Sequence, residues 1–185
     1  MDFLRHLDYL IVKAASEAGR TEPYRDAVVY FFAELLPYFF ILAAIGIYFS
    51  GRTPRQKEKA HDTVFAMVGA FLLAIGLVWL LHDVWFRERP FVTHQLHYLK
   101  LVGPQLSSFP SGHAMMLFAP AGTVYFIGNF PKWGKILLLL ATLVVVARVF
   151  AGVHYLSDVT IGAGLGIGIG KLVSWQSKSL SRDMR

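Results

Sequence analysis

The sequence predicts an all-α fold: a polytopic bundle of about five transmembrane helices, preceded by an amphipathic helix in the membrane interface. Three observations carry this. Apolar residues make up 55% of the 185 residues and charged residues only 16%, whereas soluble domains carry roughly 25% charged residues. The apolar residues also come in blocks long enough to cross a hydrocarbon core of roughly 30 Å. Finally, the connections between blocks are rich in Lys and Arg, as membrane loops facing anionic lipid are. A soluble enzyme, a disordered tail and a disulfide-stapled secreted module are set aside. With no Cys in the chain, disulfides, thiolate chemistry and Cys-ligated metals are excluded too. The net charge of +6 is assigned to lipid-facing loops, so the expected partner is the bilayer and no nucleic acid.

Residues 1–20 are not read as a signal peptide, because Asp2 and Asp8 interrupt the start and no cleavage site follows an apolar core. Phe3, Leu4, Leu7, Leu10, Ile11, Ala14, Ala15 and Ala18 recur at helical spacing opposite Arg5, His6, Lys13, Glu17 and Arg20. That pattern predicts an interfacial helix stopped by Gly19 and Pro23; a helix packed as in a soluble protein is the alternative. Five spans follow, at Ala27–Phe49, Val64–Leu81, Ala114–Phe130, Ile136–Val153 and Val159–Trp175. One membrane-embedded domain, 1–185, is expected, with a transmembrane core over 27–175 and a cytoplasmic tail over 176–185.

Ten of the 18 Lys and Arg fall in alternate connections and the C-terminal end: Arg52, Arg55, Lys57, Lys59, Lys132, Lys135, Lys171, Lys178, Arg182 and Arg185. The positive-inside rule therefore puts the C-terminus in the cytoplasm and the Asp83–Gly112 connection outside, at the periplasmic or exterior face of a plasma (inner) membrane; the inverted orientation is the alternative. In the fifth span, Gly162, Gly166 and Gly170 are four apart and share a helix face, which permits close helix packing in lipid. A phosphate-binding glycine loop is rejected, since Leu165 and Leu172 stand where its pattern needs Gly and Ser or Thr.

Polar groups that a membrane makes expensive fall into three clusters, which five alternating spans bring to one face. His82, Asp83, Arg87, Glu88, Arg89 and Pro90 follow the second span. Pro110-Ser111-Gly112-His113 opens the third, and Arg148, His154 and Asp158 lie between the fourth and fifth. Arg89 and Arg148 are permanently charged planar donors that fit phosphate oxygens. Ser111 stands at an N-cap position, where the free N–H groups near Gly112 and His113 offer a second anion site. Gly112 lets backbone approach a ligand closely. Two His supply groups that titrate near neutrality, one to attack and one to donate a proton. Asp158, four residues after His154, is placed to fix its tautomer. Such a set suits phosphoryl transfer through a His nucleophile, with no metal and no other cofactor.

These residues resemble the three signatures of the type 2 phosphatidic acid phosphatase superfamily, K-x6-R-P, P-S-G-H and S-R-x5-H-x3-D, over roughly Leu81 to Asp158. The resemblance implies that His154 forms a phosphohistidine, that Asp158 orients it and that His113 protonates the leaving group. Arg89, Arg148, Ser111 and Gly112 would hold phosphate. Two positions depart from the pattern: His82 stands where the motif Lys belongs, and Ala147 where its Ser does. Arg87, or His82 when protonated, could replace the Lys. The superfamily's haloperoxidases are much longer soluble proteins, so the spans argue against that branch.

The short length, the N-terminal helix and the runs Arg87-Glu-Arg-Pro-Phe-Val92 and Ser107-Ser-Phe-Pro-Ser-Gly-His113 are similar to the bacterial undecaprenyl-diphosphate phosphatases of this superfamily. That implies hydrolysis of undecaprenyl diphosphate to undecaprenyl phosphate in recycling of the cell-wall carrier lipid. Phosphatidylglycerophosphate or phosphatidate phosphatase is the alternative. An apolar-aromatic loop (Phe91, Tyr98, Leu99, Leu101, Val102) suits a lipid headgroup at the membrane surface. Glu34 beside Pro37 in the first span supports a non-catalytic transporter or lipid-binding scaffold, since intramembrane carboxylates mark ion paths. The metal-like spacing His94-x-x-His97 has no carboxylate or third His nearby in sequence. Oligomeric state is not readable from the sequence.

Overall fold

The computed structural model describes residues 2–101 and 107–183, with side chains over 3–101 and 107–179. Val102 and Arg185 lie outside the described residues, as does the side chain of Arg182. Regular structure among the described residues is entirely helical: α1 (Asp2–Glu17), α2 (Arg25–Phe49), α3 (Pro54–Val84), α4 (Pro90–His94), α5 (Gly112–Ile127), α6 (Pro131–Phe150) and α7 (Leu156–Asp183). Helices α2, α3, α6 and most of α7 are long and apolar enough to cross a membrane, while α5 is a shorter apolar helix. The chain is a multi-pass membrane protein.

Each long helix buries one stripe and turns large apolar side chains outward. In α2 the buried line is Val29, Ala33, Leu36, Phe40, Ala43 and Ile47, at alternating steps of four and three, whereas Phe39, Ile41, Leu42 and Ile45 are exposed. That is the pattern of a helix whose outer face meets lipid. Helix α3 starts ten residues before the expected second span. Thr53 accepts the Gln56 N–H, the Gln56 side chain accepts the Thr53 N–H, and Pro54 follows at the first helical position. The basic connection is therefore helical, and α3, with 31 residues, reaches about 46 Å at 1.5 Å per residue. Helix α6 also starts earlier than expected, at Pro131, and ends three residues sooner, at Phe150, where the chain turns through Gly152 with φ +72°. Helix α7 continues through the expected tail to Asp183.

Helix α5 is the hub, packed against α3, α6 and α7, with residues from Ala114 to Val124 buried almost without interruption. Gly128, with φ +80°, ends it. The predicted glycine face is where α7 meets it. A Cβ at Gly162, Gly166 or Gly170 would lie 2.7, 2.8 or 2.6 Å from the carbonyl oxygens of Ser111, Met115 and Ala119. At Gly164 and Gly168 it would meet nothing within 4 Å. The two backbones thus touch along one row of glycines.

Helix α1 lies across the end of the bundle where these helices carry their polar residues, with its large apolar side chains turned outward, as an interfacial helix has them. Asp8, Val12, Ala15 and Ser16 point inward, and Phe3, Leu4, Leu7 and Leu10 stay exposed, Phe3 at 77%. Arg25 fastens its far end. The guanidinium donates to the carbonyls of Ala15 (3.3 Å), Ser16 (2.9 Å), Ala18 (3.2 Å) and Phe150 (2.6 Å), so one cation serves the C-terminal ends of both α1 and α6.

Candidate active site

All three polar clusters meet at one end of the bundle. Arg148 arrives there because it extends the inward stripe of α6 through Leu137, Ala141 and Val144. Its Nη1 donates to the Ala33 carbonyl (3.4 Å) and to Glu34 Oε1 (3.3 Å). The Ala33 carbonyl is free because Pro37, four residues on, has no N–H to donate to it. The same proline ends a turn of π-helix, Phe31–Leu35, that carries Glu34. Glu34 is therefore explained by an ion pair with Arg148.

Arg89 stands just before α4, where Pro90 opens the short helix. Its Nη1 donates to the Val153 carbonyl (3.0 Å) and lies 3.5 Å from Nε2 of His154, and its Nη2 donates to the Ser107 carbonyl (3.3 Å). Burial pushes the Arg89 pKa below its ordinary value, with the Asp158 charge opposing. Ser111 precedes α5 and is fully buried, its N–H donating to the Asp158 carbonyl (3.1 Å). Gly112 packs against α3, where a Cβ would lie 3.3 Å from Val78 Cγ1. His113, the second residue of α5, lines an apolar groove of about 470 Å³ between α2, α3 and α5, together with Glu34, Phe40, Met67, Phe71 and Leu117.

Three polar atoms in this region are buried without a protein partner: Nε of Arg89, Nε of Arg148 and Oγ of Ser111. A buried donor left unpaired costs about 1–3 kcal/mol, so such groups gathered in one place can receive the acceptor oxygens of a ligand. Beside them stands His154, on the turn between α6 and α7. Its Nδ1 lies 3.0 Å from the Ser108 carbonyl oxygen. A carbonyl can only accept, so Nδ1 carries the proton and Nε2 keeps its lone pair. Burial lowers the His154 pKa to about 4, with the charges of Arg148 and Arg89 adding to this and Asp158 opposing it. The imidazole is therefore neutral at neutral pH.

Asp158 is fully buried on the first turn of α7. Its Oδ2 accepts the Tyr155 N–H (2.9 Å) and the hydroxyl of Ser108, and lies 3.8 Å from His154 Nδ1. It thus holds the His154 turn and the Ser108 segment together, while the direct hydrogen bond to the imidazole comes from the main chain. Its Oδ1 receives Nη1 of Arg87 at 2.7 Å.

Arg87 and His82, expected as substitutes for the motif Lys, are directed elsewhere. The Arg87 guanidinium bridges Asp158 and Asp8, because a planar fork between two carboxylates satisfies both. Nε2 of His82 donates to the Pro110 carbonyl at 3.0 Å. Neither joins the unpaired donors. His94 stacks near Tyr9, with centroids 4.4 Å apart, and Tyr155, at 6.2 Å. Sequence reasoning assigned no role to Ser107, Ser108, Ser157 or Asp8. For Asp8 a signal existed: it stands four residues before Val12, on the line that Ala15 and Ser16 continue.

With this geometry in place, the comparisons with known proteins decide the family. The sequence profile of the PAP2 superfamily matches residues 63–182. The chain belongs to that superfamily. The bacitracin transport permease protein BcrC of Bacillus licheniformis is 31% identical over 167 residues, covering 90% of this chain and 78% of its own. The undecaprenyl-diphosphatase BcrC of Bacillus subtilis is 26% identical over 166 residues, covering 90% and 82%. The crystal structure of Aquifex aeolicus LpxE superposes with a TM-score of 0.68 at 29% identity, over 91% of this chain and 93% of that one. A PAP2-type phosphatidylglycerolphosphate phosphatase from Bacillus subtilis shares the fold, with a TM-score of 0.65 at 24% identity over 100% and 89%. The PAP2 protein described here is a membrane lipid phosphatase, and its similarity runs to the short bacterial undecaprenyl-diphosphatases.

Proposed function

We propose that this PAP2 phosphatase hydrolyses undecaprenyl diphosphate to undecaprenyl phosphate, through a phosphohistidine and without a metal, in recycling of a cell-wall carrier lipid. The observation that carries the reading is the set of buried, unpartnered donors on Arg89, Arg148 and Ser111 beside a His154 whose Nε2 keeps its lone pair. Nε2 attacks the terminal phosphorus, and the P–O bond to the leaving group breaks. His113 gives that oxygen a proton. Water, giving its proton back to His113, then displaces His154 and releases inorganic phosphate. Arg89, Arg148, Ser111 and the N–H groups at the start of α5, near Gly112 and His113, hold the phosphate oxygens as negative charge builds.

Undecaprenyl diphosphate is favoured by the BcrC similarity over 90% of this chain, and the apolar groove that His113 lines suits a long tail. In this reading the whole chain is one phosphatase domain in the plasma (inner) membrane, its site facing the periplasm or exterior and its C-terminus the cytoplasm, following the distribution of Lys and Arg.

The test is phosphate release in EDTA by purified wild type and His154→Ala, compared on undecaprenyl diphosphate, phosphatidylglycerophosphate and phosphatidate. Release by the wild type alone, fastest on the first substrate, is expected. Equal release by both proteins would falsify the His nucleophile, loss on chelation the metal-free step, and a faster rate on either glycerolipid the substrate assignment.

A further inference from the structure

We propose that Asp8, on the interfacial helix α1, is a positioning residue of the active site: it holds Arg87 against Asp158 and thereby sets the turn that carries His154. The inference rests on the catalytic reading above and extends it to a helix that lies outside the PAP2 match at 63–182.

Asp8 is an acidic residue buried on the inward face of α1. Both its oxygens are engaged across 149 residues of chain: Oδ1 accepts the Ser157 N–H at 3.0 Å, and Oδ2 accepts the Ser157 hydroxyl. Oδ2 also receives Nη2 of Arg87 at 3.0 Å, while Nη1 of the same guanidinium reaches Asp158 at 2.7 Å and Ser157 Oγ at 2.8 Å. Tyr155 closes the arrangement, its ring centroid 3.9 Å from the Arg87 guanidinium carbon. Residues 155, 157 and 158 follow His154 directly. The contacts of Asp8 and Arg87 are therefore made with the same short segment that presents the imidazole.

Anchorage of α1 does not require this arrangement. Val12 and Ala15 are buried on its inward face, and Arg25 fastens its far end to the main chain. A buried ion pair adds little net stability, because desolvation offsets the attraction, and its best-attested use is to fix register. What Asp8 supplies is direction. Without it the Arg87 fork loses one of its two carboxylates, and Arg87 is the group that holds Asp158 Oδ1.

The experiment compares kcat and KM on the lipid phosphate, with thermal unfolding in detergent, for wild type, Asp8→Asn, Asp8→Glu, the exposed control Glu17→Gln, Arg87→Gln and the double variant Asp8→Asn/Arg87→Gln. Asp8→Asn is expected to lower kcat about 10- to 100-fold, the range for removing a partner that orients a functional group, with KM unchanged within about twofold. Asp8→Glu recovers most of the rate, Glu17→Gln keeps it, and Asp8→Asn adds no further loss to Arg87→Gln. A wild-type kcat in Asp8→Asn overturns the proposal. So does a loss that tracks only the unfolded fraction, or one that multiplies in full with that of Arg87→Gln. A wild type inactive on every lipid phosphate overturns the catalytic reading and this inference with it; an active wild type matched by Asp8→Asn overturns this inference alone.

Discussion

The Nδ1 atom of His154 lies 3.0 Å from the carbonyl oxygen of Ser108, closer than the 3.8 Å that separates it from Asp158 Oδ2. A main-chain acceptor cannot be removed by a side-chain substitution, so the tautomer that leaves Nε2 free survives the loss of the carboxylate charge. Asp158→Asn is therefore expected to lower kcat by about 10- to 100-fold, as loss of an orienting partner does, while His154→Gln abolishes turnover. Single-turnover phosphate release decides it. An Asp158→Asn rate as low as that of His154→Gln would place the tautomer in the hands of the carboxylate.

Acidification should weaken the fold through His154. Burial takes its pKa from the ordinary 6.5 to about 4, so between those values the unfolded chain binds the proton that the folded chain refuses. The contribution is fully present above pH 6.5 and is lost as pH falls towards 4, by on the order of 3 kcal/mol. Unfolding midpoints in detergent at pH 7 and pH 4.5 should differ less in His154→Gln than in wild type; an identical difference would show that His154 is not the group responsible.

Replacing Arg148 by Lys keeps the charge but discards the planar fork and its Nε. That Nε is among the donors without a protein partner, and Nη1 is already directed to Glu34 and Ala33. Arg148→Lys should lower kcat/KM by about 10- to 100-fold, or roughly 1.4–2.7 kcal/mol. Glu34→Ala, which leaves the guanidinium buried without its carboxylate, should destabilise the protein by about 3–5 kcal/mol. A Glu34→Ala protein with the wild-type unfolding midpoint would show that this pair is not needed.

Gly166→Ala and Gly164→Ala make a paired test of the α5–α7 contact. The first Cβ would sit 2.8 Å from the Met115 carbonyl oxygen and 2.9 Å from Phe118 Cβ, and the second would meet nothing within 4 Å. Overpacking of this kind costs about 1–3 kcal/mol, whereas Ala for Gly on an open helix face is neutral or gains up to about 1 kcal/mol. Thermal unfolding should rank Gly164→Ala at or above wild type and Gly166→Ala below it.

Much of this was legible in the chain because it is local. The apolar blocks give the helices, the steps of four give the glycine face, and Arg89, Pro110–His113, Arg148, His154 and Asp158 stand at spacings that a reader of sequence can see. The contacts that orient them are not local. Ser108 joins His154 and Asp158 across 46 and 50 residues, and Asp8 meets Ser157 across 149. Arg87 resembled a phosphate ligand on charge alone, and only the two carboxylates around it reveal its direction. The inward face of α1 was hidden for a related reason: its longest apolar side chains gave the periodicity of an interfacial helix and stay exposed, whereas the inward line of Asp8, Val12, Ala15 and Ser16 makes contacts far along the chain. The start of α3 was missed because hydropathy detects where lipid begins, and a capped polar helix can begin well before that.

The glycine row between α5 and α7 sets the gauge of the candidate site. Ser111 and His113 ride on one helix and Asp158 on the other, and the gap between the two is that of hydrogen atoms against main-chain oxygens, with no side chain to serve as an adjustable shim. The pocket therefore takes its width from a row that begins against Ser111 and runs on into the bundle past Met115 and Ala119. A headgroup bound there would meet walls whose separation no side-chain rotation can adjust.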